Sequence, residues 1–163
     1  MNDDRIARIQ AEWARERPEI DVAPQGVIGR LHRIAALLMT ELDGVYREFG
    51  LADGEFDVLA ALRRAGDPYE RSAGELAGSV MITTGGLTKR VDRLERAGLV
   101  HRRRAEHDGR SRVIALTAQG LALIDEAFAA HMANERRLLD ALDADEVRRL
   151  EALLTGWLAK LEG

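Results

Sequence analysis

The chain contains no cysteine. Disulfides, thiol nucleophiles, thiolate metal sites and cysteine redox sensing are therefore excluded. Long hydrophobic runs are also missing: no stretch approaches the roughly 18 apolar residues that span a bilayer. The start, Met1-Asn2-Asp3-Asp4, is acidic and leads into no apolar segment, so neither a secretory leader nor a membrane partner is expected and the protein is expected to be cytoplasmic. The four histidines (His32, His101, His107, His131) lack the i, i+4 spacing of metal ligands and no carboxylate cluster accompanies them, so no metal is expected. No nucleophile–base pair or paired carboxylates stand out. Gly85-Gly86 has no strand leading into it, so it is not read as a phosphate loop. An enzyme is not expected, and neither is a cofactor. Repeats and low-complexity segments are absent, and 163 residues suffice to bury a core without staples.

What is present is concentrated between Ser72 and Thr117. This stretch reads as a short capped helix, a second helix opening at Thr83-Thr84, and an arginine-rich two-stranded hairpin. From Lys89 to Arg112 nine basic residues face four acidic ones, a local charge of +5; the whole chain is −4, so the remainder carries −9. A basic surface on an acidic body points to a polyanion partner. A helix followed at once by a basic hairpin can read one groove of a duplex and brace on the next.

Patterning along the rest of the chain is helical. Asp3 or Asp4 can cap a first helix that carries Ile6, Ile9 and Trp13 and stops at Pro18. Residues 18–24 read as a linker. An amphipathic helix from Val27 to Phe49 closes at Gly50, and Asp53 caps the next, ending near Ala65-Gly66. Ser72-Ala73-Gly74-Glu75 has the capping-box pattern of a short helix that ends near Val80. Thr83 caps a helix through Ala97, with Gly98 as a left-handed stop. A strand from Leu99 to Arg104, a turn at His107-Asp108-Gly109-Arg110 and a strand from Val113 to Leu116 follow. Thr117 caps a helix to about Leu142, and Asp143 begins a last one that ends near Leu161.

The expected fold is mainly α with a small β-hairpin wing (α+β): a winged helix-turn-helix with long N- and C-terminal dimerisation helices. The expected organisation is an extra N-terminal helix (1–18), dimerisation helices (25–50 and 118–163) and a DNA-binding domain (51–117). Terminal stripes such as Leu150, Leu153, Leu154 and Leu158 exceed what the small centre can cover. A homodimer would cover them and set two reading helices about 34 Å apart, one duplex turn.

These residues resemble the MarR family of bacterial regulators over nearly the whole chain. The resemblance rests on the helix Ile82 to Glu95, the stop Arg96-Ala97-Gly98-Leu99-Val100, the wing Asp108-Gly109-Arg110-Ser111-Arg112-Val113, and Leu116-Thr117-Ala118-Gln119-Gly120. The helix around Trp13, followed by Arg17-Pro18, is similar to the urate-responsive, HucR/PecS-like branch. That resemblance implies a ligand pocket built from Trp13, Asp57, Thr88 and Arg90, placed between the extra helix, the helix after the first dimer helix and the recognition helix. It also implies double-stranded DNA with a pseudo-palindromic operator as partner, and urate or another small aromatic anion as ligand.

Arg90 has support of its own. Leu87, Val91 and Leu94 share one helical face, and Arg90 lies about 60° from Leu87, at the edge of that face. A cation there needs an anion, and Asp57, between Phe56 and Val58, needs a cation. An Asp57–Arg90 strut that a ligand breaks and a purely structural strut are compatible readings. For DNA, Thr83, Thr84 and Lys89 lie where side chains meet bases and phosphates. Arg110 at the wing tip suits the minor groove, oriented by Asp108. Arg102, Arg103, Arg104 and Arg112 alternate along the strands, so half of them should face phosphates. Another aromatic anion as ligand, or an architectural winged helix without sequence preference, remain the alternatives.

Overall fold

The computed structural model describes residues 4–52, 54–80, 84–104 and 112–163. The chain divides into two compact units, Met1–Leu42 and Asp43–Gly163.

In the first unit, α1 (Arg5–Glu16) is capped by Asp4, whose Oδ1 accepts from Ile6 N and Ala7 N at 2.9 Å each. The same carboxylate takes Arg30 Nε at 2.7 Å, so one side chain both starts α1 and ties it to α2 (Ala23–Glu48). Gln10 Nε2 adds a second tie to Val22 O at 3.0 Å. The segment expected to be a linker up to Pro24 ends sooner. Asp21 accepts from Ala23 N at 2.9 Å and Pro24 lies in the first turn of α2, where the N–H it lacks would have had no helical partner. The Arg30 hydrogen bond, with help from the Ala7 and Ile6 amides, holds the Asp4 carboxyl below its usual range. A depressed carboxyl stabilises the fold above its unfolded pKa, and that contribution is lost as pH falls through the folded one. Local melting of α1 on acidification below about pH 3.8, the ordinary Asp value, is therefore expected in wild type. The Asp4→Asn variant, read by amide exchange, should show α1 already loosened at neutral pH; equal protection in both proteins would refute the tie.

In the second unit, α3 (Glu55–Arg63) buries Phe56, Val58, Leu59 and Leu62. Gly54 occupies its N-cap position, while Asp53, the expected cap, lies outside the described residues. A three-residue strand, β1 (Glu70–Ser72), precedes α4 (Ala73–Ser79). Ser72 ends the strand and supplies the α4 cap: its Oγ accepts from Glu75 N while Glu75 Oε2 accepts from Ser72 N at 2.8 Å. The α5 helix (Thr84–Arg96) ends at Gly98, whose φ is 72°. It leads to β2 (Val100–Arg104) and β3 (Arg112–Leu116). The expected two-stranded hairpin is thus a three-stranded antiparallel sheet of order β1-β3-β2, with Arg71 opposite Ile114 and Arg102 opposite the same residue on the other side. Glu-Arg-Ser has no alternating apolar signal, so β1 exists only because the free edge of β3 needs partners for its backbone.

The junction to α6 (Ala118–Leu139) is tight. Thr117 Oγ1 donates to Gly98 O at 2.7 Å and accepts from Gly120 N at 2.9 Å, and Thr117 N donates to Leu99 O at 3.0 Å. A Cβ at Gly120 would overlap the Leu99 carbonyl. His131 of α6 is a packing histidine, stacked on Tyr46 and tilted against Phe56, with Nδ1 3.2 Å from the tyrosine hydroxyl. The last helix, α7 (Ala144–Glu162), starts from a capping box at Asp143 and buries none of its own residues. It exposes Leu150, Leu153, Leu154, Leu158 and Leu161, and α6 adds Phe128 and Met132.

Candidate nucleic-acid interface and ligand site

The α5 helix separates its faces as the wheel requires. Leu87, Val91 and Leu94 are buried at 3% exposure or less, while Thr88, Lys89 and Arg96 are exposed. Arg90 is half-buried at the edge, as its position relative to Leu87 implies. Thr84 opens the helix. Thr83, Asp108 and Arg110 lie outside the described residues.

The strand arginines divide differently from the expected alternation. Arg102 is committed within the protein: its Nη2 bonds Asp92 Oδ1 at 2.5 Å, its Nη1 meets Glu95 Oε2, and its backbone N donates to Glu95 Oε1 at 3.0 Å. Burial works against its charge, but the Asp92 and Glu95 carboxylates outweigh it and raise the guanidinium above its usual pKa. Arg103 grips Glu70 of β1 through two bonds, at 2.9 and 2.7 Å. Arg104 and Arg112 face each other in register and are both exposed, with no ion-pair partner among the described residues. Sequence periodicity could not show this division, because it depends on acidic partners 33 positions away at Glu70 and 7 and 10 away on α5.

Trp13 is 49% exposed and lines a cavity of 580 Å³ in the first unit, together with Ile20, Val22, Gln25, Ile28 and His32. Gln25 Oε1 is buried there without a hydrogen-bond partner among the described residues. Asp57, Thr88 and Arg90 belong to the second unit. Asp57 is exposed in the first turn of α3, because it alone of residues 55–59 points away from the core. Arg90 packs against the same turn, for a Cβ on Gly54 would come within 2.8 Å of Arg90 Cζ. The sequence reading missed Glu55, which at 3% exposure is the one fully buried charge among the described residues. A glutamate at the first helical position, amid a run of apolar residues, was its only signal. No His, Asp and Glu grouping suited to a metal occurs among the described residues.

A helix pair whose second member exposes a polar face, joined to a short sheet with one arginine-rich outer strand, β2, defines a winged helix-turn-helix protein. The chain belongs to the MarR family of transcriptional regulators, and residues 49–111 match the model of that family. It is 42% identical over 149 residues to the HTH-type transcriptional regulator PecS of Dickeya dadantii, spanning 91% of this chain and 90% of that one. Among solved structures it is similar to AbsC, a MarR family transcriptional regulator from Streptomyces coelicolor (26% identity, TM-score 0.75, 87% and 97% of the two chains). It is also similar to a mutant MarR from E. coli complexed with operator DNA (27% identity, TM-score 0.73, 85% and 99%). The protein is accordingly a DNA-binding transcriptional regulator, and its likeness to PecS fits the PecS-like branch. No described helix is long and apolar enough to cross a membrane.

Proposed function

We propose that the protein is a homodimeric repressor released from a pseudo-palindromic operator by a small aromatic anion, urate. The observation that carries the ligand reading is the seating of Arg90 against the first turn of α3, the turn that bears Asp57. In this reading Arg90 neutralises the ligand anion, the displaced negative charge of Asp57 is released, and the reading helix leaves its register. Trp13 supplies a stacking face for a planar purine. Thr88 supplies a hydroxyl. Exposed leucines on α7 and apolar residues on α6 support burial against a second copy. For DNA, α5 with Thr83, Thr84 and Lys89 enters the major groove, and the wing with Arg104, Asp108, Arg110 and Arg112 tracks the flanking minor groove. Arg102 contributes by fixing the wing to α5.

A ligand acts only through different affinities for the two states, so a hundredfold loss of operator affinity corresponds to about 2.7 kcal/mol of coupling. The test is urate titration followed by operator gel shift and tryptophan fluorescence on wild type, Trp13→Phe and Arg90→Ala. Urate should release wild type and leave both variants on the duplex at the same ligand concentration. Wild-type binding that ignores urate at millimolar levels would eliminate urate as the effector, and a panel of phenolic acids would then find or exclude another aromatic anion.

A further inference from the structure

We propose that Gly54 and Glu55 form a two-arginine socket that sets how α5 is rotated about its own axis, making Glu55 a positioning residue for sequence discrimination. The inference rests on α5 being the duplex-reading helix and adds a second contact, distinct from Asp57. Gly54 holds φ at 72°, a left-handed conformation that favours glycine, and an added Cβ would lie 2.8 Å from Arg90 Cζ and 3.0 Å from its Cδ. The bare backbone is therefore the seat of Arg90. One residue on, the Glu55 carboxylate receives Arg93 Nε at 3.0 Å and Ala52 N at 2.7 Å, and Glu55 N donates back to Ala52 O at 3.0 Å.

Arg90 and Arg93 are neighbours on one face of α5, a single turn apart. Holding one against the Gly54 backbone and the other on the Glu55 carboxylate fixes two points along that face, so α5 cannot roll about its axis without breaking one of them. The buried face of Leu87, Val91 and Leu94 resists translation of the helix but tolerates small rotations, because apolar contact is non-directional. A buried carboxylate does not tolerate them: at 5% side-chain exposure Glu55 has no water to replace Arg93. This pair is a directional part of the α3–α5 contact, and in this reading it helps to set which α5 side chains face the duplex.

The experiment uses the full-length protein, a duplex enriched by wild type from random DNA, and an unrelated duplex of equal length. The variants are Glu55→Gln, Arg93→Gln, their double and Gly54→Ala. Glu55→Gln keeps the shape and the Ala52 bond but removes the charge; Arg93, half-exposed, can be solvated while the buried amide loses its partner, so the fold should survive with a lowered melting temperature, and DNA binding is compared well below it. Its affinity ratio for selected over unrelated DNA should fall about tenfold, the worth of one mismatched base pair, with affinity for unrelated DNA unchanged. The double variant should be no worse than Arg93→Gln alone, because the two act through one contact. Gly54→Ala, which displaces Arg90 and leaves Glu55 in place, should lower the same ratio and decides the matter if Glu55→Gln does not fold. An unaltered ratio, a parallel loss on both duplexes, or additive losses in the double would overturn the socket. A wild type indifferent to sequence would instead remove α5 as the reading helix, and the socket with it.

Discussion

Gly120→Ala is expected to destabilise the protein by about 3 kcal/mol, the upper end of what overpacking a tight site costs. The first turn of α6 lies directly on the Leu99 carbonyl, so an added methyl would occupy the position of that oxygen. Backbone on both sides leaves nothing flexible to yield. The displaced group is also in use, since Leu99 O accepts from Thr117 N and Thr117 caps the helix whose third residue is Gly120. One methyl therefore strains the entry to β2, the return of β3 and the start of α6 together. For a chain of this length about 3 kcal/mol corresponds to a drop in Tm of roughly 6–12 °C. Gly78→Ala gives the contrast: it too is helical, but nothing lies within 4 Å of its missing Cβ. There the substitution should stabilise by about 0.4–1 kcal/mol through the unfolded chain. Thermal unfolding of the two variants beside wild type checks both signs. A Gly120→Ala protein melting with wild type would show that the junction is looser than its geometry.

That junction shows what a sequence can and cannot disclose. Leu-Thr-x-x-Gly at 116–120 was legible as a motif, and the Thr117 cap followed from helix chemistry, but the reason for glycine three residues on is a contact with Leu99, 21 positions earlier. Helices were legible because Asp4, Ser72, Thr117 and Asp143 are local capping signals and apolar spacing is a local pattern. The strand β1 was not, because three polar residues become a strand only when β3 offers an edge. The same division runs through the site. Arg90 could be placed from the wheel of its own helix. The commitments of Arg102 to Asp92 and Glu95, of Arg103 to Glu70 and of Arg93 to Glu55 join elements that only folding brings together. Charge counting along the chain treated all these arginines as equivalent, whereas the fold neutralises some and leaves others for a partner.

This division makes operator affinity fall steeply and selectively with salt. Each phosphate contact releases condensed counterions, so log affinity declines with log salt at a slope of about −0.9 per contact. Lys89, Arg96, Arg104 and Arg112 are exposed cations. If a dimer places three or four of them per half-site, six to eight contacts result, and affinity should drop by about 10³- to 10⁴-fold between 50 and 200 mM salt. The variants separate charge that is free from charge that is spent. Arg104→Ala and Arg112→Ala should each flatten the slope by about 1.8, one contact per protomer in a dimer. Arg103→Ala should leave the slope nearly unchanged, because that guanidinium is spent on Glu70 at 2.7 Å and not on a phosphate; the freed Glu70 carboxylate should lower affinity somewhat without changing the number of counterions released. Arg102→Ala should behave differently from both: the Asp92 and Glu95 carboxylates, released from their partner, would face the duplex beside the reading helix, so affinity should fall on every sequence. Fluorescence anisotropy across a salt series measures all five proteins in one assay. A flat wild-type response, or a slope that changes as much for Arg103→Ala as for Arg104→Ala, would mean that the exposed strand arginines are not what meets the phosphates.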